Sequence, residues 1–163
     1  FIMKHFNDLD KLINILKKKK VKVCIAESLT GGKVAYSFIK IKGASEIFDF
    51  SIVCYSNNSK SYFFNADKII KKYGVVSYET AKIMLDKIQN FTISQKRLRL
   101  SCTGYASQSL SNQNIDVGTV YIGVGFGTKT KIIKKKFRNN GRVSIINSTI
   151  NALIYESIQI LSR

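Results

Sequence analysis

A serine and a glycine pair follow a short apolar run in residues 24–38, which read CIAESLTGGKVAYSF. Adjacent glycines let a ligand approach the backbone closely, and free N–H groups at a helix start favour an anion or a developing oxyanion. Ser28 is therefore a candidate nucleophile, Thr30 a candidate substrate contact, and the Gly31 and Gly32 backbone a candidate donor pair. Spacing alone favours the simpler interpretation that Ser28 or Thr30 only caps a helix and that the glycines ease a tight turn.

A lysine is the candidate base for this serine. The one histidine, His5, lies in the predicted N-terminal helix, remote in sequence from every cysteine, and is not a usable base. Lys60 follows the second apolar run, in residues 55–60 (YSNNSK). A desolvated lysine near other cations has a lowered pKa and can accept a proton, and Tyr55 could orient that lysine or relay the proton. The competing interpretation is a polar turn with an exposed lysine, which the lysine-rich composition favours.

Two further segments carry candidate ligand contacts. Thr103 and Gly104 end a third apolar run and offer a hydroxyl and backbone N–H groups, although an ordinary strand exit is the simpler interpretation. Arg138 and Arg142, in the stretch FRNNGRV, could each bind a phosphate bidentately. For either arginine taken alone, surface exposure is the simpler interpretation.

The length of 163 residues predicts one compact domain over residues 1–163, and 45% of the residues are hydrophobic, which is enough to fill a core. No apolar run approaches the roughly 20 residues that cross a bilayer, and the N-terminal segment does not resemble a secretion signal. The three cysteines are widely spaced within apolar runs, which favours reduced thiols in a cytoplasmic protein. No zinc-type pairing of cysteines occurs. We therefore expect a cytoplasmic protein without a membrane partner and without a bound metal.

The chain is strongly basic, with 27 Lys and Arg residues against 10 Asp and Glu residues and a formal net charge of +17. Such a charge is typical of nucleic-acid binders. The basic runs nevertheless fall in different predicted elements, and no recognised nucleic-acid module contains them. We therefore expect attraction to anionic ligands in general and no specific nucleic-acid partner.

Hydrophobic periodicity predicts strands that alternate with helices. We expect helices over 5–17, 31–40, 78–91 and 143–161, strands over 21–26, 50–55 and 97–103, and a hairpin around residues 127–128. The second strand is apolar throughout, which predicts that both of its faces are covered. Residues 57–73 predict a turn and one short helix that closes at Gly74, and residues 104–116 predict a loop. The order of elements indicates an α/β fold, a three-layer domain with a mixed sheet.

The carboxyl ends of the first three strands should meet if those strands are neighbours. Ligands bind at this edge of an α/β sheet. Residues 26–32, 55–60 and 103–107 would then face one site, and they are also the turns with the most polar chemistry.

Together, the motifs AESLTGG, YSNNSK and VGTVYIGV make the chain similar to the CinA C-terminal domain family, which includes nicotinamide-nucleotide amidases. The resemblance covers nearly the whole chain and implies an α/β/α sandwich. It also implies hydrolysis of nicotinamide mononucleotide to nicotinate mononucleotide and ammonia, with no cofactor and no metal. Ser28 would be the nucleophile, Tyr55 and Lys60 would activate it, and Arg142 would be the arginine of the last helix. The resemblance further implies a small-molecule nucleotide as substrate and association into a homo-oligomer.

The sequence departs from the family pattern in one loop. Residues 103–108 read TGYASQ where family members usually read TGIAGP, and Ile146 stands where a second arginine is often found. The altered loop keeps open the alternative of a relative that binds nucleotides without turnover. The net charge of +17 and the family's historical link to competence keep open a second alternative, a protein associated with nucleic acid.

Overall fold

The computed structural model describes residues 2–108 and 115–162. Two 3-10 turns, Ala44–Glu46 and Ile88–Phe91, accompany the helices and strands. In chain order these are α1 (Ile2–Lys19), β1 (Lys22–Glu27), α2 (Lys33–Ile39), β2 (Phe48–Val53), α3 (Asn57–Phe64), α4 (Asp67–Tyr73), α5 (Tyr78–Lys87), β3 (Arg97–Gly104), β4 (Thr119–Phe126), β5 (Lys129–Lys136) and α6 (Arg142–Leu161). None of the helices in the described ranges is both long and apolar enough to cross a membrane.

The five strands form one mixed sheet in the order β2-β1-β3-β4-β5. β1 pairs in parallel with β2 on one side and with β3 on the other, whereas β4 and β5 continue the sheet in antiparallel fashion. The two strands that follow β1 in the chain, β2 and β3, therefore lie on opposite sides of β1. Such a reversal of strand order opens a crevice at the carboxyl end of the central strand, which is where ligands bind in α/β sheets.

Helices cover both faces of the sheet, as the sequence predicts. Side chains alternate across β1: Val23 and Ile25 join the core formed with α1, α2 and α6. Cys24 and Ala26 join the second core, formed with α3, α4 and α5. This alternation is the period of a strand buried between two helical layers, and it confirms the three-layer prediction. All three cysteines are free and buried.

Local sequence patterns correctly predict the start of α5 and the turn of the hairpin, but they miss the interruption between α3 and α4. Ser77 accepts a hydrogen bond from the Thr80 backbone N–H and caps α5, as a serine in front of a helix should. The predicted hairpin turns at Gly127, whose φ is 58°. The single short helix predicted within residues 57–73 is wrong. Asn65 adopts a left-handed conformation there, with φ 52°, and separates α3 from α4.

The prediction that residues 50–55 are covered on both faces is also wrong. β2 is an edge strand whose Asp49 and Val53 are exposed. Phe50 and Ile52 still pack against the second core. The apolar run misled the prediction because an edge strand with one packed face and a buried central strand can share the same composition.

Candidate active site

The carboxyl ends of β1, β2 and β3 open into one cleft of about 330 Å³. This volume lies in the lower part of the range of about 300–1,000 Å³ that is usual for small-molecule sites. Six of the residues predicted from the sequence line the cleft, namely Ser28, Tyr55, Lys60, Thr103, Gly104 and Arg142. The sheet topology therefore brings together residues that lie up to 114 positions apart in the chain.

Ser28 lies directly after β1, at the crevice where the strand order reverses. Its side chain is buried except on the side of the cleft that it lines. Within the described ranges the Ser28 hydroxyl forms no hydrogen bond. The described residues contain no fully enclosed polar side-chain atom without a partner, so this hydroxyl keeps some contact with solvent. The hydroxyl is therefore presented to the cleft rather than used as a helix cap.

Glu27, a residue that the sequence analysis passed over, holds the turn that presents Ser28. Its carboxylate is fully buried. It accepts five hydrogen bonds: at Oε2 from Thr30 Oγ1 (2.7 Å), Gly32 N (3.0 Å) and Val34 N (3.0 Å), and at Oε1 from Ala35 N (2.9 Å) and Ser51 Oγ (3.0 Å). A carboxylate at the beginning of α2 satisfies backbone donors that the helix leaves unpaired. An acidic residue just before a predicted helix start was the available signal.

The glycine pair supplies backbone conformation rather than free donors. Gly31 and Gly32 have φ values of 58° and 94°, in the left-handed region that favours glycine. Their N–H groups donate to the Ser28 carbonyl and to Glu27. Thr30, Gly31 and Gly32 do not line the cleft. This placement differs from the expectation that these three residues contact the substrate, because the Thr30 hydroxyl and the Gly32 N–H donate to Glu27 and the Gly31 N–H donates to the Ser28 carbonyl.

Lys60 is positioned by the capped first turn of α3. Ser56 caps this helix by accepting from the Ser59 N–H at 3.0 Å. One residue further on, Lys60 turns inward and retains only 1% of its exposure. Its Nζ donates to the carbonyl oxygens of Cys54 (2.9 Å) and Tyr55 (3.1 Å). The competing interpretation of Lys60 as an exposed lysine is therefore wrong.

The environment of Lys60 disfavours its charge. Burial lowers the pKa of Lys60 below its usual value, and the nearby Cys54 and Cys102 thiols only partly oppose this shift. No carboxylate of the described residues forms an ion pair with Lys60. Its two hydrogen bonds match the two hydrogens of a neutral amine, which would leave the nitrogen lone pair available as a base.

Arg142 connects two of the loops around the cleft. It begins α6, and its guanidinium donates from Nη1 to Ser107 Oγ (2.8 Å) and from Nη2 to the Tyr55 hydroxyl. None of the described residues that line the cleft carries a carboxylate, so the Arg142 guanidinium has no counter-ion among them. Tyr55 contacts Lys60 through its backbone carbonyl, while its half-exposed ring points its hydroxyl at Arg142. The other candidate, Arg138, does not line the cleft.

Thr103 and Gly104 form the wall of the cleft at the end of β3. Thr103 is buried and donates its hydroxyl hydrogen to the Val75 carbonyl at 2.8 Å. A Cβ on Gly104 would lie 2.6 Å from Val120 Cγ2, so packing against β4 requires glycine at this position. Residues 109–114 of the following predicted loop lie outside the described residues.

A larger cavity of about 510 Å³ lies elsewhere, between β5 and the C-terminal half of α6. Its lining includes Glu156, whose buried carboxylate pairs with Lys131 at 2.7 Å. None of the residues predicted from the sequence to form the site lines this cavity. The chemistry of the side chains, rather than volume, therefore identifies the cleft beside Ser28 as the candidate active site.

Comparisons with known proteins give a consistent result. The model of the family described as "CinA C-terminal domain" matches residues 7–160. A "CinA-like protein" from Pseudothermotoga lettingae is 34% identical over 94% of this chain and 37% of its own length. Another from Fusobacterium nucleatum is 34% identical over 91% of this chain and 35% of its own length. The chain thus spans about a third of the length of these curated relatives.

Solved structures share the fold. A CinA superfamily protein from Klebsiella pneumoniae superposes with a TM-score of 0.88 at 16% identity, covering 97% of this chain and 98% of its own. A competence/damage inducible protein from Agrobacterium tumefaciens gives 0.83 at 22% identity, covering 96% of each chain. At these identities the likeness establishes the fold alone.

Proposed function

The chain belongs to the CinA C-terminal domain family, and we propose that it is an amidohydrolase that converts nicotinamide mononucleotide to nicotinate mononucleotide and ammonia. The observation that carries this proposal is a buried lysine lining the same cleft as a serine hydroxyl, where, among the described residues, the lysine has no counter-ion and the hydroxyl has no hydrogen-bond partner. Hydrolysis of an amide by an activated serine needs these two groups and donors for an oxyanion.

In the first half-reaction, Ser28 Oγ attacks the carboxamide carbon while neutral Lys60 accepts the hydroxyl proton. The carbonyl oxygen becomes an oxyanion, and the C–N bond then breaks as Lys60 returns the proton to the leaving nitrogen. Ammonia departs and leaves an ester on Ser28. In the second half-reaction, Lys60 takes a proton from water, the resulting hydroxide equivalent attacks the ester, and Ser28 recovers its proton.

The donor for the oxyanion is best sought at Leu29. The N–H groups of Gly31 and Gly32 are already bonded within the turn. The Leu29 N–H group, in contrast, meets no acceptor in residues 2–108 or 115–162, and Leu29 lines the cleft. It follows the nucleophile directly, and a backbone donor just after a nucleophile is suited to a developing oxyanion. We therefore assign the oxyanion site to the Leu29 N–H group in place of the glycine pair.

The substrate phosphate is proposed to bind at Arg142. The Arg142 guanidinium donates to neutral hydroxyls, and replacing these acceptors by an anion would give stronger, charge-assisted hydrogen bonds. The Tyr55 and Ser107 hydroxyls accept from Arg142, so their own hydrogens remain available to donate to the same phosphate. In this proposal the Tyr55 side chain therefore helps to bind the phosphate. Tyr55 contributes to the activation of Lys60 only through its backbone carbonyl, which accepts a hydrogen bond from Lys60 Nζ.

The test is ammonia release from nicotinamide mononucleotide by the purified chain, with nicotinate mononucleotide measured in parallel. The proposal expects the two products in equal amounts. Saturable binding of the nucleotide by the folded chain without product would instead select the non-catalytic relative. That alternative is favoured by the unusual sequence of residues 103–108, which shape the cleft wall.

The pH dependence of kcat/KM should follow the deprotonation of Lys60. Because catalysis needs the neutral amine, kcat/KM is expected to rise with pH and level off above the pKa of Lys60, which burial places below the usual value of about 10.4. Lys60→Arg should be inactive at every pH, since a guanidinium stays protonated. Lys68→Arg, an exposed lysine of α4, is the matched control and should keep the profile. An unchanged profile in Lys60→Arg would remove Lys60 from the mechanism.

Arg142→Gln should separate phosphate binding from chemistry. We expect KM for nicotinamide mononucleotide to rise about 10- to 100-fold, because one charge-assisted contact is lost. Turnover of nicotinamide riboside, which lacks the phosphate, should change little. Arg138→Gln, an exposed arginine outside the cleft, serves as the control. Equal losses for the two substrates would show that Arg142 does not bind the phosphate.

A further inference from the structure

The cavity between β5 and the C-terminal half of α6 is larger than the candidate active site, and the proposed reaction does not use it. A further cavity of about 350 Å³ shares Thr128, Lys129 and Ile160 with it and extends to Lys19 at the end of α1. Because the two cavities share lining residues, they are contiguous, and we call them together the β5–α6 groove. The first cavity alone, at about 510 Å³, has a volume that is usual for small-molecule sites.

The sheet register makes the strand side of this groove half apolar and half cationic. Lys131 of β5 pairs with Val124 of β4, and Lys129 pairs with Phe126. Residues that lie opposite each other in an antiparallel pair project from the same face of the sheet. That face is the one toward α6, since Lys131 contacts Glu156 of α6 at 2.7 Å. Two apolar side chains therefore lie beside two lysines along the groove.

The lysines of β5 also explain why this strand and α6 do not close against each other. A strand that is packed by a helix needs apolar side chains at alternate positions. On the α6 side of β5, Ile133 packs against the core, whereas Lys129 and Lys131 are exposed. Burying an ammonium group away from water is costly. The beginning of β5 and the end of α6 therefore stay apart and leave the groove between them.

The charge of the groove is positive. The one carboxylate among its described lining residues belongs to Glu156, which is 5% exposed. This carboxylate pairs with Lys131 at 2.7 Å and with Lys135 at 3.6 Å, so it is already neutralised and holds Lys131 in place. Lys19 and Lys129 form no ion pair with any described residue. Two ammonium groups therefore remain for an anion from outside.

We propose that the β5–α6 groove is a second ligand site of this chain and that it binds a small anion with an apolar body. The body covers Val124, Phe126 and Ile160, and removal of their apolar surface from water favours binding. The anionic group lies at Lys19 and Lys129. Because an ammonium group acts as a compact point charge, it binds carboxylate, sulfonate or phosphate oxygens alike.

This site is separate from the candidate active site. Arg142 of the cleft and Glu156 of the groove lie on the same helix, α6. A helix rises 1.5 Å per residue, so about 21 Å separates their backbones. A ligand in the groove therefore cannot react with Ser28. Nucleoside monophosphates and acyl carboxylates both have the required chemistry, an anionic group on a body with an apolar face.

The test uses 8-anilinonaphthalene-1-sulfonate, a fluorescent anion with an apolar aromatic body, titrated into the purified chain. We expect saturable binding that weakens as salt is added. Lys129→Gln should raise the dissociation constant about five- to tenfold, because one of the two available ammonium groups is lost. Lys68→Gln is the matched control, at an exposed lysine of α4 outside the groove. It changes the net charge equally and should leave the dissociation constant unchanged.

Two further measurements locate the probe. Gln159→Trp places a large side chain in the groove without changing the charge, and it should weaken binding at least about tenfold. In the wild-type chain, the backbone amide resonances of Lys129 and Gln159 should shift when the probe is added. Those of Ser28 and Arg142, in the cleft, should stay in place.

Displacement of the probe identifies the source of the anion. Competition by adenosine 5′-monophosphate would assign the groove to a nucleoside phosphate, and competition by decanoate would assign it to an acyl carboxylate. Inorganic phosphate at the same concentration should not compete, since it brings no apolar body.

Four results would overturn the proposal. They are the absence of saturable binding, an equal effect of Lys129→Gln and Lys68→Gln, resonance shifts confined to the cleft, and failure of both organic anions to compete better than inorganic phosphate. None of these results depends on whether the chain hydrolyses nicotinamide mononucleotide.

Discussion

Ser28→Ala is expected to lower the release of ammonia from nicotinamide mononucleotide by a factor of about 10³ or more. The substitution removes the atom that forms the ester, and the remaining groups can only assist direct attack by water. Because the Ser28 hydroxyl forms no hydrogen bond within the described residues, its removal leaves no buried group unpaired. The thermal midpoint should therefore stay within a few degrees of wild type, and nucleotide binding should persist.

The control for Ser28→Ala is Ser61→Ala, at a serine of α3 that does not line the cleft. It should retain wild-type turnover and show that removing a hydroxyl is harmless elsewhere. Trapping adds an independent readout: mass spectrometry of wild type quenched during turnover should find the nicotinate nucleotide esterified to the peptide that carries Ser28. Turnover by Ser28→Ala above a tenth of the wild-type rate would exclude a covalent mechanism at this residue.

The sequence predicted the layers and the location of the site because both depend on local patterns and one topological rule. Alternating apolar runs located the strands, and the carboxyl ends of neighbouring parallel strands had to meet. It misjudged β2 because strand order is a long-range property. The same apolar run suits the centre or the edge of a sheet, and only pairing partners distinguish the two.

The roles of individual side chains were harder to predict because they depend on which donors are already satisfied. The motif suggested Gly31 and Gly32 as donors to a ligand, yet the adjacent Glu27 accepts the Gly32 N–H and so removes it from the cleft. Composition favoured an exposed Lys60. Lys60 is buried because the Ser56 cap sets its position on α3. The number of charged residues in the chain does not reveal that position.

Glu27→Gln is expected to lower the free energy of unfolding by about 2–4 kcal/mol. The carboxylate accepts five hydrogen bonds while fully buried, and a carboxamide of the same shape can accept at only one of its two positions. Its NH₂ group would face donors, so at least two of them lose their partner, at about 1–3 kcal/mol each before relaxation. For a chain of this size the thermal midpoint should fall by roughly 5–15 °C.

Activity should fall together with stability, because the Glu27 network fixes the turn that presents Ser28. We expect a lower kcat for Glu27→Gln even at temperatures where the variant is fully folded, since a displaced nucleophile loses its alignment with the carboxamide. Glu46→Gln is the matched control: Glu46 is exposed, and its substitution should change stability by less than about 0.5 kcal/mol. Wild-type stability in Glu27→Gln would show that the buried carboxylate is dispensable. Lower stability with an unchanged kcat would show that the Glu27 hydrogen bonds do not position Ser28 for catalysis.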